Sequence, residues 1–449
     1  MRGFFPFGRL RVRMTEGWND VVSRFVRYDF VLGRVDVMKS ELVASRQTLP
    51  LGFQWGAVRA GIKASGNLDV AVAVADKVAS AAAMFTKNQV VAAPVTVGRR
   101  HLLSTGGRVG AVLANAGNAN CATGQAGLDA CVQTCVAAAE TFHCIFDEVF
   151  PSSTGIIGVP FPGDKVVAAL PAVKDALGST AAHAELFATA IMTTDTRMKV
   201  ARAVVDVDGV EVRIFGAAKG AGMIHPQMGA PVGPPHATML VYLFTDLDAE
   251  SDGLREFLAP AVERSFNCIS IDGDTSTNDT VLLLASGASG VKLDERVGEA
   301  FSNALKLICG SLAHQIVDDG EGVTHVVTLH VMGARTEGEA KQVAEAIACS
   351  PLCKTAWSSG DPNWGRLLAA AGYSGVEFDP ARVTISIGSQ PVFELGMRSP
   401  AFDEAAAHAV MMEREYTITM DMGLGEADCR FVTCDMTEAY VRINADYST

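Results

Sequence analysis

The segment AAKGAGMIHPQMGAPVGPPHATMLVYLFTD, Ala217–Asp246, decides the fold. A Gly-rich stretch with one lysine, Lys219, runs into a link holding four prolines, and Thr238 then opens the run TMLVYLFTD. That run is apolar without alternation, which predicts a strand covered on both faces. A hydroxyl at the mouth of such a strand is a poor nucleophile until a base takes its proton. If the bond before Thr238 is cut, the new α-amino group lies beside the hydroxyl. Its ordinary pKa is about 7.7–8.0, and burial lowers it further, so the amine can serve as that base. The plain alternative is a β-branched strand residue with no chemistry. Taken locally, the sequence favours the plain alternative.

Outside this segment, short β-type runs alternate with Ala-rich helical ones. GAVLANAG (110–117) and VTVG (95–98) are expected as strands. GVEVRIFG (209–216), TVLLLASG (280–287) and VTHVVTLHVMGA (323–334) are expected as strands too. In GLDACVQTCVAAAETF (127–142), Leu128, Cys131, Val132 and Cys135 form one helical stripe. DGLREFLAPAVERSF (252–266), DERVGEAFSNALKLICGSLAHQIV (294–317) and EGEAKQVAEAIA (337–348) also carry the helical period. From Val383 onward the chain is mostly β. The class is mixed α/β, helix layered on sheet.

The chain has 449 residues, enough for two or three domains or subdomains, and 49% hydrophobic content, which suits packed cores. A net charge of −13 argues against a broad nucleic-acid face, while a local lysine can still hold a small anion. No run of eighteen apolar residues predicts a membrane helix. Ten cysteines without a CxxC pair read as small buried side chains in a reducing compartment. Arg2, Arg9, Arg11 and Arg13 precede the first acid, Glu16, as in a targeting segment. Acids then follow at Asp20, Asp29 and Asp36, so residues 1–47 are expected as an extension, or Met38 as the true start. A cytoplasmic enzyme is expected, with organellar targeting by residues 1–15 as the alternative.

Further candidate sites are weak one at a time. Lys219 sits in AAKGAGM, which is neither a phosphate-binding loop nor a dinucleotide fingerprint, and a solvated turn lysine explains it equally well. PSSTGIIG is expected to place Thr154 and Gly155 in a turn able to face an oxyanion. MTTDT (192–196) reads as a polar wall or a helix-ending turn. VDDGEGVTH offers Asp318, Asp319 and Glu321, and Glu321 suits an ammonium group. NAGNAN and GDTSTNDT are expected to hydrogen-bond their own backbones. His225 and His236 flank the Pro-rich link, but no HExxH occurs and no metal site is expected.

In order, the motifs say more. NAGNANCATG, PSSTGIIG, MTTDT, AAKGAGM with ATML, DGDTSTNDTVLLLASG, DDGEGVTH, GDPNWGRLLAAAGY and AYVRINADYST together resemble the ArgJ family. These are the glutamate N-acetyltransferases, also called ornithine acetyltransferases, and the likeness covers roughly residues 48–449. The resemblance implies a self-processing N-terminal-nucleophile αββα fold, shared with DmpA-type aminopeptidases, plus a mixed α/β C-terminal subdomain. It implies cleavage between Ala237 and Thr238, giving an α chain of residues 48–237 and a β chain of 238–449. It implies acetyl transfer from N²-acetylornithine to glutamate through acetyl-Thr238, with no cofactor and with acetyl-CoA as an alternative donor. Thr154 and Gly155 would form the oxyanion hole; Thr194, Lys219, Thr238, Glu321, Asn444 and Thr449 would contact substrate. An α₂β₂ assembly would follow. The sequence departs from the family at Gly229–His236, inserted just before the scissile bond. Pro234 and Pro235 there favour extended backbone. Two alternatives accompany this expectation: an aminopeptidase or amidase using the same nucleophile, and an uncut, inactive homologue.

Overall fold

The computed structural model describes residues 11–14, 49–229 and 239–446. The larger sheet contains β1 (Arg11–Met14), β2 (Phe53–Val58), β3 (Val70–Thr86), β4 (Arg108–Asn118), β5 (Val149–Ile156), β6 (Lys199–Val207), β7 (Val210–Lys219), β8 (Met228–Gly229) and β9 (Leu240–Thr245). After β10 (Ile269–Ser270), which joins the second sheet, β11 (Thr280–Ala285) completes the first. The order is β1-β6-β7-β9-β11-β3-β4-β5, with β2 and β8 also paired to β3.

This sheet folds over on itself. β3 is 17 residues long, and its register against β4 shifts between Val74 and Ala79. Before the shift β3 pairs with β2; after it, with β11. Trp55 of β2 meets Phe244 of β9 at 5.5 Å and Phe215 of β7 at 5.9 Å between ring centroids. Neither strand neighbours β2 in the sheet, so these contacts cross a core between two layers.

The outer faces carry helices. Val70, Val72, Ala111 and Leu113 pack against Cys131 and Cys135 of the helix Gly124–Phe142 and Leu170 of Gly163–Asp175. Ile214, Val241 and Leu243 pack against the helices Ser251–Glu263 and Glu295–Asp318. Helix, sheet, sheet and helix therefore stack as αββα. Leu240, Tyr242 and Phe244 enter the inner core and Val241 and Leu243 the outer one, which is why the run has no polar face. Each such side chain contributes about 1.5–3 kcal/mol on full burial.

The second sheet contains β10, β12 (Val326–Ala334), β13 (Thr384–Ile387), β14 (Gln390–Glu394), β15 (Met397–Arg398), β16 (Glu415–Asp421) and β17 (Ala427–Cys434). Its order is β10-β17-β12-β16-β13-β14-β15. Val327, Leu329 and Val331 pack on the helix Glu337–Ala348 through Val343 and Ile347. Three covalent links join the lobes: the helix Ser251–Glu263 to β10, β10 to β11, and the end of the helix Glu295–Asp318 to β12.

Several expectations change. VTVG lies in the helix Ala93–Thr105, not a strand. Pro94 is preorganised for the first helical turn, and Val95 and Val97 each find a core, which outweighs β-branched propensity. Thr154 and Gly155 lie in β5 rather than a turn, because β4 pairs with that stretch. Within the first 47 residues, β1 pairs antiparallel with β6, so the segment contributes an edge strand. All ten cysteines are free; Cys144 and Cys349 are half-buried and the others buried.

Candidate active site

Three strands end side by side at the site. Lys219, the last residue of β7, pairs with Leu240, and Leu240 pairs with Thr280 of β11. Met239, wholly buried, accepts a hydrogen bond at its carbonyl from the Thr280 N–H at 2.8 Å. Ala237, Thr238 and residues 230–236 of the insertion lie outside the described residues, as does Thr449. At the other end of the insertion, Gly229 pairs with Phe85, which itself pairs with Thr280. Gly229 and Leu240 thus flank the same end of the sheet, three strands apart, or roughly 14 Å.

Thr154 is buried, and its Oγ1 has no partner among the described residues. Gly155 follows at φ 131°, where a Cβ would lie 2.3 Å from the carbonyl carbon of Gly117 and 2.5 Å from the N of Asn118. Only glycine fits so close an approach. Asn278 clamps this corner: its Nδ2 donates to the carbonyls of Ser153 at 2.8 Å and Ala119 at 2.7 Å. The turn GDTSTNDT thus reaches across to β5 instead of bonding only to itself. In NAGNAN the expectation holds: Asn115 donates to the Asn118 carbonyl and Asn118 accepts from the Asn120 N–H, both at 2.8 Å.

Lys219 is buried, so a solvated turn lysine is excluded. Burial lowers its pKa; Asp195 opposes this, Lys199 adds to it, and Asp279 and Glu321 pull upward. Asp195 is the hub. Its Oδ1 accepts from Lys199 Nζ at 2.6 Å and from the Gly220 N–H at 2.7 Å. Its Oδ2 accepts from the Thr193 N–H at 2.9 Å and lies 4.0 Å from Lys219 Nζ. Although burial raises the Asp195 carboxyl, Lys219, Lys199 and the Gly220 N–H outweigh it and hold it below the usual range. Lys199 also donates to Asp319 Oδ2 at 2.5 Å, and Asp319 accepts from the Thr196 N–H at 3.0 Å. The half-buried Thr194 sits in a turn pinned on both sides by these carboxylates.

Glu321 follows Asp319 where the long helix ends. Its N–H donates to the Ala221 carbonyl at 2.9 Å, which brings the DDGEG turn onto the AAKGAGM stretch. A Cβ on Gly222 would lie 2.5 Å from Glu321 Oε2. Asn444, on the helix Glu438–Asp446, donates to Glu321 Oε2 at 3.0 Å. Behind it, Thr437 Oγ1 donates to the Gly322 carbonyl at 2.7 Å. His225 Nε2 lies 2.7 Å from Glu345 Oε1, and among the described residues no group of three or more His, Cys, Asp or Glu side chains is placed to hold a metal ion.

Asp279 was not anticipated. It is wholly buried, and neither carboxylate oxygen has a partner among the described residues. Burial raises its carboxyl well above the usual range, with Lys219 pulling it down. Asp195 and Lys199 were missed as well. Asp195 lies inside MTTDT, but nothing local distinguishes Lys199 from any lysine that opens a strand.

Residues 54–449 match the model of the ArgJ family. The chain belongs to the ArgJ family. It is 45% identical over 401 residues to the arginine biosynthesis bifunctional protein ArgJ of Thermus thermophilus, covering 89% of this chain and 99% of that one. It is 40% identical over 413 residues to the glutamate N-acetyltransferase of Methanocaldococcus jannaschii, covering 90% and 98%. Among solved structures, ArgJ of Bacillus halodurans aligns with a TM-score of 0.45 and 38% identity, covering 47% of this chain and 100% of that one. The family expected from the ordered motifs is thus the family found.

Proposed function

We propose that this ArgJ-family chain is a self-processing acetyltransferase of arginine biosynthesis that moves the acetyl group of N²-acetylornithine to glutamate. Maturation begins when Thr238 Oγ attacks the Ala237 carbonyl. The C–N bond breaks, an ester forms, and water hydrolyses it. The products are the Ala237 carboxylate and a free α-amine on Thr238. That amine then takes the Oγ proton as Thr238 attacks the acetyl carbonyl of the donor. Ornithine leaves with its nitrogen protonated. The glutamate amine attacks the acetyl ester, and N-acetylglutamate departs. Thr154 and Gly155 face both oxyanions. Lys219 takes a substrate carboxylate and Glu321, oriented by Asn444, the side-chain ammonium of ornithine. Thr194 and Thr449 complete the substrate contacts, and the mature protein assembles as α₂β₂.

The observation that carries this reading is the alignment of Lys219, Leu240 and Thr280 across three strands, with Met239 buried at their mouth. The nucleophile is joined directly to Met239, and Asn278 ties the Thr154 corner to the same place. The test is intact mass spectrometry of untagged protein with N-terminal sequencing of the lighter chain. A chain beginning Thr-Met-Leu-Val, with transfer from N²-acetylornithine to glutamate, is expected. A single uncut chain that does not turn over N²-acetylornithine overturns the proposal.

A further inference from the structure

Lys63 occupies the same corner. The buried Asp69 carboxylate shapes its loop, accepting from the N–H groups of Ala60 and Ile62 at 2.6 Å each and of Lys63 at 3.0 Å. A carboxylate that accepts from three amides of one loop marks a loop held in one conformation. The loop presses on Gly117, where a Cβ would lie 3.2 Å from Ile62 Cγ2 and from Lys63 Cγ and N. Gly117 in turn pairs with Gly155. The loop therefore covers the corner formed by Thr154 and Gly155.

The Lys63 ammonium donates to the carbonyls of Leu68 at 2.5 Å and Ala190 at 3.0 Å. Ala190 ends the helix Ala181–Ala190, which leads into the turn held by Asp195. An ammonium has three donors, and among the described residues two are used, which leaves one for a ligand. The residue is half-buried, which leaves a ligand room to reach it. Burial lowers its pKa to about 8, Asp69 and Asp195 pull it upward, and Lys219 pushes it down. Lys219 Nζ lies 4.0 Å from Asp195 Oδ2, in the turn that follows the helix end held by Lys63, so both lysines approach one site, and an anion between them converts their repulsion into attraction.

We propose that Lys63 is a second carboxylate-binding residue, which with Lys219 takes the α-carboxylate of the N-acetylated amino acid and of the acceptor. The inference rests on the acetyltransferase reading. The α-carboxylate is separated from the reacting amide by one carbon, so its partner belongs beside the oxyanion corner. The ornithine ammonium lies at the far end of the side chain, toward Glu321. Lys63 is thus a substrate-binding residue shared by donor and acceptor.

The test compares N²-acetylornithine with its α-carboxamide as donors, in wild type, Lys63→Met and Lys63→Arg. Lys63→Met is expected to raise KM for the acid by about 10- to 100-fold, the range for losing a hydrogen bond to a charged group. KM for the carboxamide is expected to rise less than KM for the acid, since it loses a hydrogen bond but no ion pair. Lys63→Arg is expected to restore binding of the acid, because it keeps the positive charge. Equal losses on acid and carboxamide would reduce Lys63 to a tether of Leu68 and Ala190 and overturn the proposal. If Lys63→Met does not fold, Lys63→Gln decides: a rise in KM larger for the acid than for the carboxamide supports the proposal, and equal rises overturn it. Wild type inactive on both donors would instead remove the acetyltransferase reading, and this inference with it.

Discussion

Replacing Lys199 by methionine should expose how the site is held. Lys199 is fully buried, with Asp195 Oδ1 at 2.6 Å and Asp319 Oδ2 at 2.5 Å from one nitrogen. The two oxygens are therefore no more than about 5 Å apart, and at an effective dielectric near 20 two unit charges there repel by about 3 kcal/mol. Removing one partner of a buried pair costs about 3–5 kcal/mol by the same physics. The remaining cations are more distant: Lys219 lies 4.0 Å from Asp195, and Arg197 Nε 3.7 Å from Asp319. In wild type the Asp195 carboxyl is held below its usual range, so its contribution is present at neutral pH and is lost on acidification. In Lys199→Met the two carboxylates lose the cation between them, so their mutual repulsion, and with it the deficit against wild type, is largest at high pH where both are charged. Urea unfolding at pH 8 and pH 5 reads this directly. The variant should have a lower midpoint than wild type at pH 8 and a smaller deficit at pH 5. Adding Asp319→Asn should recover most of the loss at pH 8. KM for both substrates should rise, because Asp195 also fixes the Gly220 N–H beside Lys219. Equal midpoints at pH 8, or a double variant no more stable than the single one, would refute the argument.

Two further outcomes are expected. Gly155→Ala should lower kcat by at least about 100-fold, the scale of losing an oxyanion donor, since its methyl would meet the Gly117 and Asn118 backbone, which cannot swing aside. Gly158→Ala, at φ 80° with nothing within 4 Å, is the control: normal kcat in Gly155→Ala, or an equal loss in both variants, removes the argument. Asp279→Asn should flatten the pH dependence of Tm. Because burial raises the Asp279 carboxyl, the native protein keeps a proton that the unfolded chain releases above pH about 4, so wild type loses stability as pH rises. Parallel Tm curves for wild type and variant between pH 5 and 8 would contradict this.

The sequence by itself determined the family, the strand after Thr238 and the candidates that the site brings together. Eight motifs in order leave little freedom, and the uninterrupted run Leu240–Phe244 is what a strand between two cores requires. Local composition failed where pairing overrode it. Ser-Thr-Gly at 153–155 signals a turn, yet β4 draws it into a strand; Val-Thr-Val at 95–97 signals a strand, yet Pro94 and two cores make it helix. Only the tertiary structure decided who faces whom. Lys199 meets Asp319 across 120 residues, Lys63 meets Ala190 across 127, and Asn278 meets Ser153 across 125. Coulomb energy depends on distance through space, and burial strengthens it by removing water. Neither quantity is written in the spacing of residues along the chain, so the charged groups that hold the site appear only once the strands are side by side.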